Sequence, residues 1–390
     1  MKITKLFKAF YDSEKAGGLI LIACTIISLL LANSGIGNGY THFWHTKLGG
    51  LSIEHWINDA LMAIFFLLIG LELEREIYVG ELSHIKDALL PLSAAIGGII
   101  FPVLLYLSFN INTPTQSGSG IAMATDIAFA LGILSLFGNR VPTSLKVFLT
   151  ALAVIDDLGA IIIISIFYTK TLIWAYLIAA LGIFVGLLIL NRLKIYSLIP
   201  YLIGGVAMWY CMLHSGVHAT ITGVLLAFAI PFKGGDNCPS YKLQNFLHTP
   251  VAFIILPIFA LANTAIMIKG NIGEILTHNY SIGIALGLIL GKPIGITLFG
   301  LLSIKLKWAK LPMGMTIKRM IGIGFLGGIG FTMSIFITLL AFEDATIINN
   351  TKLVVLLSSL VAGTIGYIIL SRVLNKTRMS VVKTDVEEDV

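Results

Sequence analysis

Two adjacent aspartates, Asp156 and Asp157, lie inside the apolar run LTALAVIDDLGAIIII, and a third, Asp126, lies inside GIAMATDIAFALG. One lysine, Lys292, lies inside LGLILGKPIGITLFG, about eleven residues from either end of its apolar block and beyond snorkelling reach. A charge at the centre of a bilayer costs about 2.5–3.5 kcal/mol even on lenient insertion scales, and two side by side cost roughly twice that before their repulsion is counted. Interhelical hydrogen bonding is the plainer reading of such residues, yet Asn, Ser or Thr supply it at lower cost. Adjacent helical positions point about 100° apart, so Asp156 and Asp157 face different neighbours. Carboxylates suit hard cations, and a closely coupled pair titrates as a unit. A site that holds either protons or a small cation, but not both, is the chemistry of exchange. Lys292 is the natural counter-charge to Asp156 or Asp157.

The elements that must position these residues follow from composition. Of 390 residues 57% are hydrophobic and only 12% charged, with a mean hydropathy of +0.94. A soluble domain carries about 25% charged residues, so this chain expects lipid as its solvent. Apolar blocks long enough for ~30 Å of hydrocarbon fall at about 13–32, 59–78, 88–108, 118–137, 143–167, 172–191, 197–212, 216–231, 246–267, 281–303, 319–342 and 352–374. The fold class expected is an all-α polytopic membrane protein of twelve transmembrane helices, a single transmembrane domain over 1–390. The first block follows Lys2, Lys5 and Lys8 and reads as a retained first helix rather than a cleaved signal.

The positive-inside rule tests this reading independently. With both termini cytoplasmic, inner segments carry 21 of the 26 Lys and Arg residues and outer loops carry four, Lys47, Lys170, Lys269 and Lys352. Lys292 alone is left over, inside a span. The formal charge of +6 sits in short loops, without the basic helix or patch of a nucleic-acid binder. Cys24, Cys211 and Cys238 form no metal or disulfide pattern, and no cofactor is expected.

Two spans look interrupted. In the fourth, small residues and Thr125 precede Asp126; in the eleventh, FLGGIGFTMSIF places Gly327, Gly328 and Gly330 at mid-membrane. Close helix packing through small residues is the rival explanation for the glycines. Interrupted spans at corresponding places in two halves point to inverted repeats, about 88–167 and 281–374, with two discontinuous helices crossing at mid-membrane. Asp126 would then offset half-helix N-termini and Lys292 the C-termini. Residues 38–56 suggest a short β-hairpin on the outer face, and 375–390 a disordered cytoplasmic tail.

At these residues the chain resembles the NhaA family of sodium/proton antiporters. The resemblance runs over nearly the whole chain and is most specific in NDALMAIFFLLIGLELERE from Asn58, ATDIAFALGIL from Ala124 and LAVIDDLGAI from Leu152. It continues in LHSGVHATITGVLLAF from Leu213, GKPIGI from Gly291 and GIGFTMSIFI from Gly328. The resemblance implies that Asp156 and Asp157 bind Na+ or Li+ alternately with protons, with Thr125 and Asp126 at the helix crossing. It implies that Lys292 pairs with Asp156 until the ion arrives. Electrogenic exchange across the bacterial inner membrane, with more protons entering than sodium ions leaving, is implied too, as are pH regulation and a homodimer joined by the outer hairpin. Glu72, Arg75, Glu76 and His248 match the family's pH-sensing cytoplasmic rim. Glu74 stands where a basic residue is common, and Gln244-Asn245 where a Glu-His pair occurs, which puts the pH response in question.

These readings describe a transporter and not an enzyme. An intramembrane aspartyl protease needs carboxylates converging from opposed helices, and a DDxxD prenyl-transfer site needs an acid where Ala160 stands. A sodium-coupled solute symporter is the alternative, but it calls for a polar substrate cavity beside the acids, and the sequence offers few groups to line one.

Overall fold

The computed structural model describes residues 5–168, 172–233, 238–268 and 271–388. Helix α1 spans Lys5–Ala32 and α2 Gly37–His45. Strands β1 (Lys47–Leu48) and β2 (Leu51–Ser52) follow, then α3 (Ile53–Tyr78) and α4 (Ile85–Asn110). A tight 3-10 segment, Gln116–Met123, leads to α5 (Ile127–Ser135). Next come α6 (Thr143–Phe167), α7 (Trp174–Arg192), α8 (Ile199–Leu213) and α9 (Ile221–Ala229). The last third holds α10 (Pro239–Asn263), α11 (Ile272–Thr277) and α12 (Asn279–Lys305). The chain closes with α13 (Ile317–Gly327), α14 (Phe331–Ala341) and α15 (Ala345–Glu388).

Among the described residues eight helical segments are long and apolar enough to cross a membrane, and ten are if each of two bent pairs counts as one span. Each of the twelve apolar blocks holds a helix, but length and composition do not bring the count to twelve. The blocks at 197–212 and 216–231 hold helices of 15 and 9 residues, which at about 1.5 Å per residue fall short of ~30 Å.

The bundle centre depends on one close helix crossing. A Cβ on Gly97 of α4 would strike the Gly295 carbonyl of α12, and a Cβ on Gly295 would strike the Gly97 carbonyl. Glycine at both places lets the two backbones touch. Lys292 stands one turn before this contact, just after a wide π-type turn over Gly287–Gly291. Pro293 explains that turn, because its ring has no N–H and crowds the carbonyl four residues earlier.

Three sequence expectations meet a different structure. Lys352, assigned to an outer loop, is 5% exposed and lies within α15; an isolated charge in a polar stretch (NNTK) gave no sign of its neighbours. Lys170 and Lys269 lie outside the described residues. The stretch 38–56 is mostly helical, and pairing is confined to Lys47 with Ser52 and Leu48 with Leu51, around Gly49 and Gly50 at positive φ. Helix wins over 37–45 because Tyr40 and Trp44, one turn apart, pack edge to face. The Tyr40 hydroxyl lies within hydrogen-bond reach of both Leu261 O, at 3.0 Å, and Ser28 Oγ, at 2.9 Å. Finally, α15 continues over 375–388, where a disordered tail is expected; no Gly or Pro interrupts those residues.

Candidate functional site

Helix α6 contains no proline, and no glycine before Gly159, so Asp156 and Asp157 sit on a continuous, stiff helix at its middle. Both side chains are buried. The segments that surround them are broken.

The first break falls at Ala124–Asp126, where the backbone is extended. Asp126 caps α5, its Oδ1 accepting from Phe129 N at 2.9 Å. Its Oδ2 accepts from Thr332 N at 3.0 Å and from the Thr332 hydroxyl, in the first turn of α14. One carboxylate thus serves the positive ends of two helices. The backbone joins the breaks directly, since Asp126 N donates to Ile329 O at 2.6 Å.

The second break falls at Gly328–Gly330, where α13 and α14 meet at a bend of 46°. Gly328 and Gly330 have ordinary φ values of −72° and −90°. Backbone freedom therefore does not call for glycine there; proximity does. A Cβ on Gly328 would strike Leu288 O, and one on Gly330 would strike Ser334 Oγ. Gly327 is less confined, its nearest neighbour being the Ile296 Cδ1 end at 3.0 Å.

These breaks bring their polar atoms to α6. Lys292 Nζ lies 2.9 Å from Asp156 Oδ2, with both side chains fully buried. The same ammonium donates to the carbonyl of Met123, the last residue of the 3-10 segment. Thr125 Oγ1 lies 2.8 Å from Asp156 Oδ2 and 2.9 Å from Gly327 O. Asp156 Oδ1 and both carboxylate oxygens of Asp157 have no hydrogen-bond partner among the described residues. Lys292, Asp126 and Glu72 lie near enough to act on Asp157 electrostatically. Asp156 thus makes a direct ion pair with Lys292, and Asp157 makes none among the described residues. Each of these buried oxygens is an acceptor without a described donor, the kind of group that a proton or a hard cation satisfies.

Residues 8–370 match the model of the family described as Na+/H+ antiporter 1. The chain belongs to this family, the NhaA antiporters. It is 69% identical over 378 residues to the Na(+)/H(+) antiporter NhaA of Flavobacterium psychrophilum, covering 97% of this chain and 98% of that one. The corresponding protein of Cytophaga hutchinsonii is 59% identical over 377 residues, covering 96% and 97%. That of Pectobacterium atrosepticum is 47% identical over 383 residues, covering 95% and 98%.

In this NhaA-family chain the rim candidates gather where α3 ends and α10 begins. Arg75 pairs with Glu76 at 3.0 Å and acts electrostatically on both Glu72 and His248. Gln244 hydrogen-bonds to Glu72. Glu74 is buried and accepts from Ser240 Oγ at 2.8 Å. His214 and His218 stand apart from this group, each against a backbone carbonyl, that of Tyr210 and of Tyr168.

Reading the sequence did not single out Thr332, Ser240 or the carbonyls of Met123 and Leu288. Thr332 carried one usable signal, a hydroxyl just after a glycine break, where helix N-termini seek acceptors. Backbone carbonyls carry none.

Proposed function

We propose that this chain exchanges Na+ or Li+ from the cytoplasm for external protons across the bacterial inner membrane. The observation that carries the reading is the buried Asp157 carboxylate, both oxygens of which lack a donor among the described residues, beside an Asp156 already paired with Lys292. A bare carboxylate in a low-dielectric site is neutralised by a proton or by a cation, and the two compete. Na+ would take oxygens from Asp157, Asp156 and Thr125, releasing Lys292 from Asp156. Proton return would reverse this, and with more protons entering than Na+ leaving the cycle is electrogenic.

Alternating access would turn on the joined breaks, where Asp126 ties α5 to α14. Inverted repeats over about 88–167 and 281–374, twelve spans and cytoplasmic termini belong to the same reading. So do pH control through Glu72, Arg75, Glu76 and His248, and a homodimer formed through the outer strand pair.

Proteoliposomes with an acid interior and a pH-reporting dye test the exchange. Added Na+ or Li+ should collapse the proton gradient with the wild type and leave it intact with Asp157→Asn. A wild type that shows no Na+-dependent proton flux from mildly acidic to alkaline pH rules the exchanger out.

A further inference from the structure

Lys352 has partners that the exchange site does not use. Its Nζ lies 3.5 Å from Glu54 Oε1 and 3.4 Å from Asn263 Oδ1. Asn263 donates in turn to Asn58 Oδ1 at 2.8 Å. The second oxygen of Glu54 faces His45 Nδ1 at 3.3 Å. Four elements meet here: α2 through His45, α3 through Glu54 and Asn58, α10 through Asn263, and α15 through Lys352.

The place of this cluster follows from two helices. Glu54 begins α3 and the rim residues Glu72, Arg75 and Glu76 end it, so about 27 Å or more of helix separates them. Asn263 ends α10, whose opening turns carry Ser240 and Gln244 of the rim group. The cluster therefore lies at the ends of α3 and α10 opposite the rim.

Its chemistry differs from that of the central ion pair. Lys292 and Asp156 are 2.9 Å apart and wholly buried. Lys352 divides two longer contacts between two acceptors, and its Glu54 partner is 18% exposed. An apolar side chain would fill the space of a buried lysine without the desolvation cost, so packing by itself does not call for one. A lysine–glutamate pair beside water offers reversibility instead. When the helices part, both groups regain hydration, which offsets the work of opening; an apolar contact gains nothing from exposure.

We infer that Glu54 and Lys352 form the gate on the side away from the rim, holding α3 to α15 while the exchange site is closed to that side and separating when it opens there. Both are positioning residues and neither touches the transported ion. This inference rests on the exchange reading above.

The test measures the KM for Na+ from each face, in right-side-out and inside-out vesicles holding the full-length protein. Glu54→Gln and Lys352→Met should each lower KM on the gate side several-fold and raise it on the rim side, because apparent affinity scales with the fraction of protein open to that side. The charge swap Glu54→Lys with Lys352→Glu should return both values toward wild type. A purely structural role would reduce thermal stability and leave the ratio of the two KM values unmoved, which overturns the gate, as does a folded swap that fails to restore the ratio. A second measurement replaces the native Cys24, Cys211 and Cys238 and introduces Glu54→Cys with Lys352→Cys. Bridging these with a reducible bifunctional thiol reagent should stop exchange, and reduction should restore it; exchange that continues through the bridge overturns the gate. Loss of all exchange in the wild type would instead overturn the exchange reading, so the two failures are distinguishable.

Discussion

The Thr125 hydroxyl stands between Asp156 and Gly327, 2.8 Å from the carboxylate and 2.9 Å from the carbonyl. It carries one proton and so serves one acceptor at a time. With Asp156 ionised, the hydroxyl donates to the carboxylate; with Asp156 protonated, it is free to donate to Gly327, at the edge of the second helix break. Thr125→Val removes that choice and leaves a buried acceptor bare, at about 1–3 kcal/mol. The expected outcome is a lower melting temperature and a raised KM for Na+, with Thr125→Ser close to wild type in both. A valine variant with wild-type KM would count against the hydroxyl as an ion ligand.

Lys292→Ala strands Asp156 in a fully buried setting. Breaking one side of a buried pair costs about 3–5 kcal/mol, more than the pair itself contributes. Thermal denaturation in detergent should show a clear loss of stability, and the pH profile of exchange should shift. Adding Asp156→Asn to Lys292→Ala should recover part of the loss, because the uncompensated charge is gone. Unchanged stability in the single variant would contradict the pairing.

Gly328→Ala tests the close approach at the second break. Its Cβ would meet Leu288 O, a backbone atom that cannot swing aside. Overpacking of this kind costs about 1–3 kcal/mol. Slower exchange and a lower melting temperature are expected from Gly328→Ala, with a smaller effect from Gly327→Ala, whose new methyl faces the movable end of Ile296.

Asp344 contributes pH-dependent stability outside the membrane-spanning segments. The backbone N–H groups of Ile347 and Thr346, at the start of α15, hold its carboxyl below its ordinary value of 3.8. A depressed folded-state value means that this stabilisation is present above pH 3.8 and fades as pH falls through the lower folded value. Asp344→Ala should therefore lower the melting temperature at neutral pH, and the gap to wild type should narrow in strong acid. A gap that is constant with pH would show that the carboxylate is not the cap.

Much of the site is legible in the chain because intramembrane charge is a local property. Asp126, Asp156, Asp157 and Lys292 announce themselves against apolar neighbours, whatever the fold around them. The two interrupted helices are also readable, from a polar residue after small ones and from closely spaced glycines. The reason for those glycines is not readable: at Gly328 and Gly330 it is a carbonyl and a hydroxyl brought close from outside the break, and φ plays no part. Lys352 shows the same limit from the other side. Its sequence surroundings are polar, so it reads as a loop residue, while in the fold its ammonium is buried and meets Glu54 of α3 and Asn263 of α10.

By itself the sequence determined the solvent, the helical elements, the family and the few charges that lipid would not tolerate without purpose. Those follow from hydropathy and side-chain chemistry, which each residue carries with it. Which partners those charges take was left to the packing of distant segments. The chain chemistry allowed Lys292 to meet either aspartate; the crossing of α4 and α12 at Gly97 and Gly295, with the wide turn before Pro293, sets its ammonium on Asp156. That leaves Asp157 without a donor among the described residues, because a donor's direction and distance depend on how helices cross and not on their order in the chain.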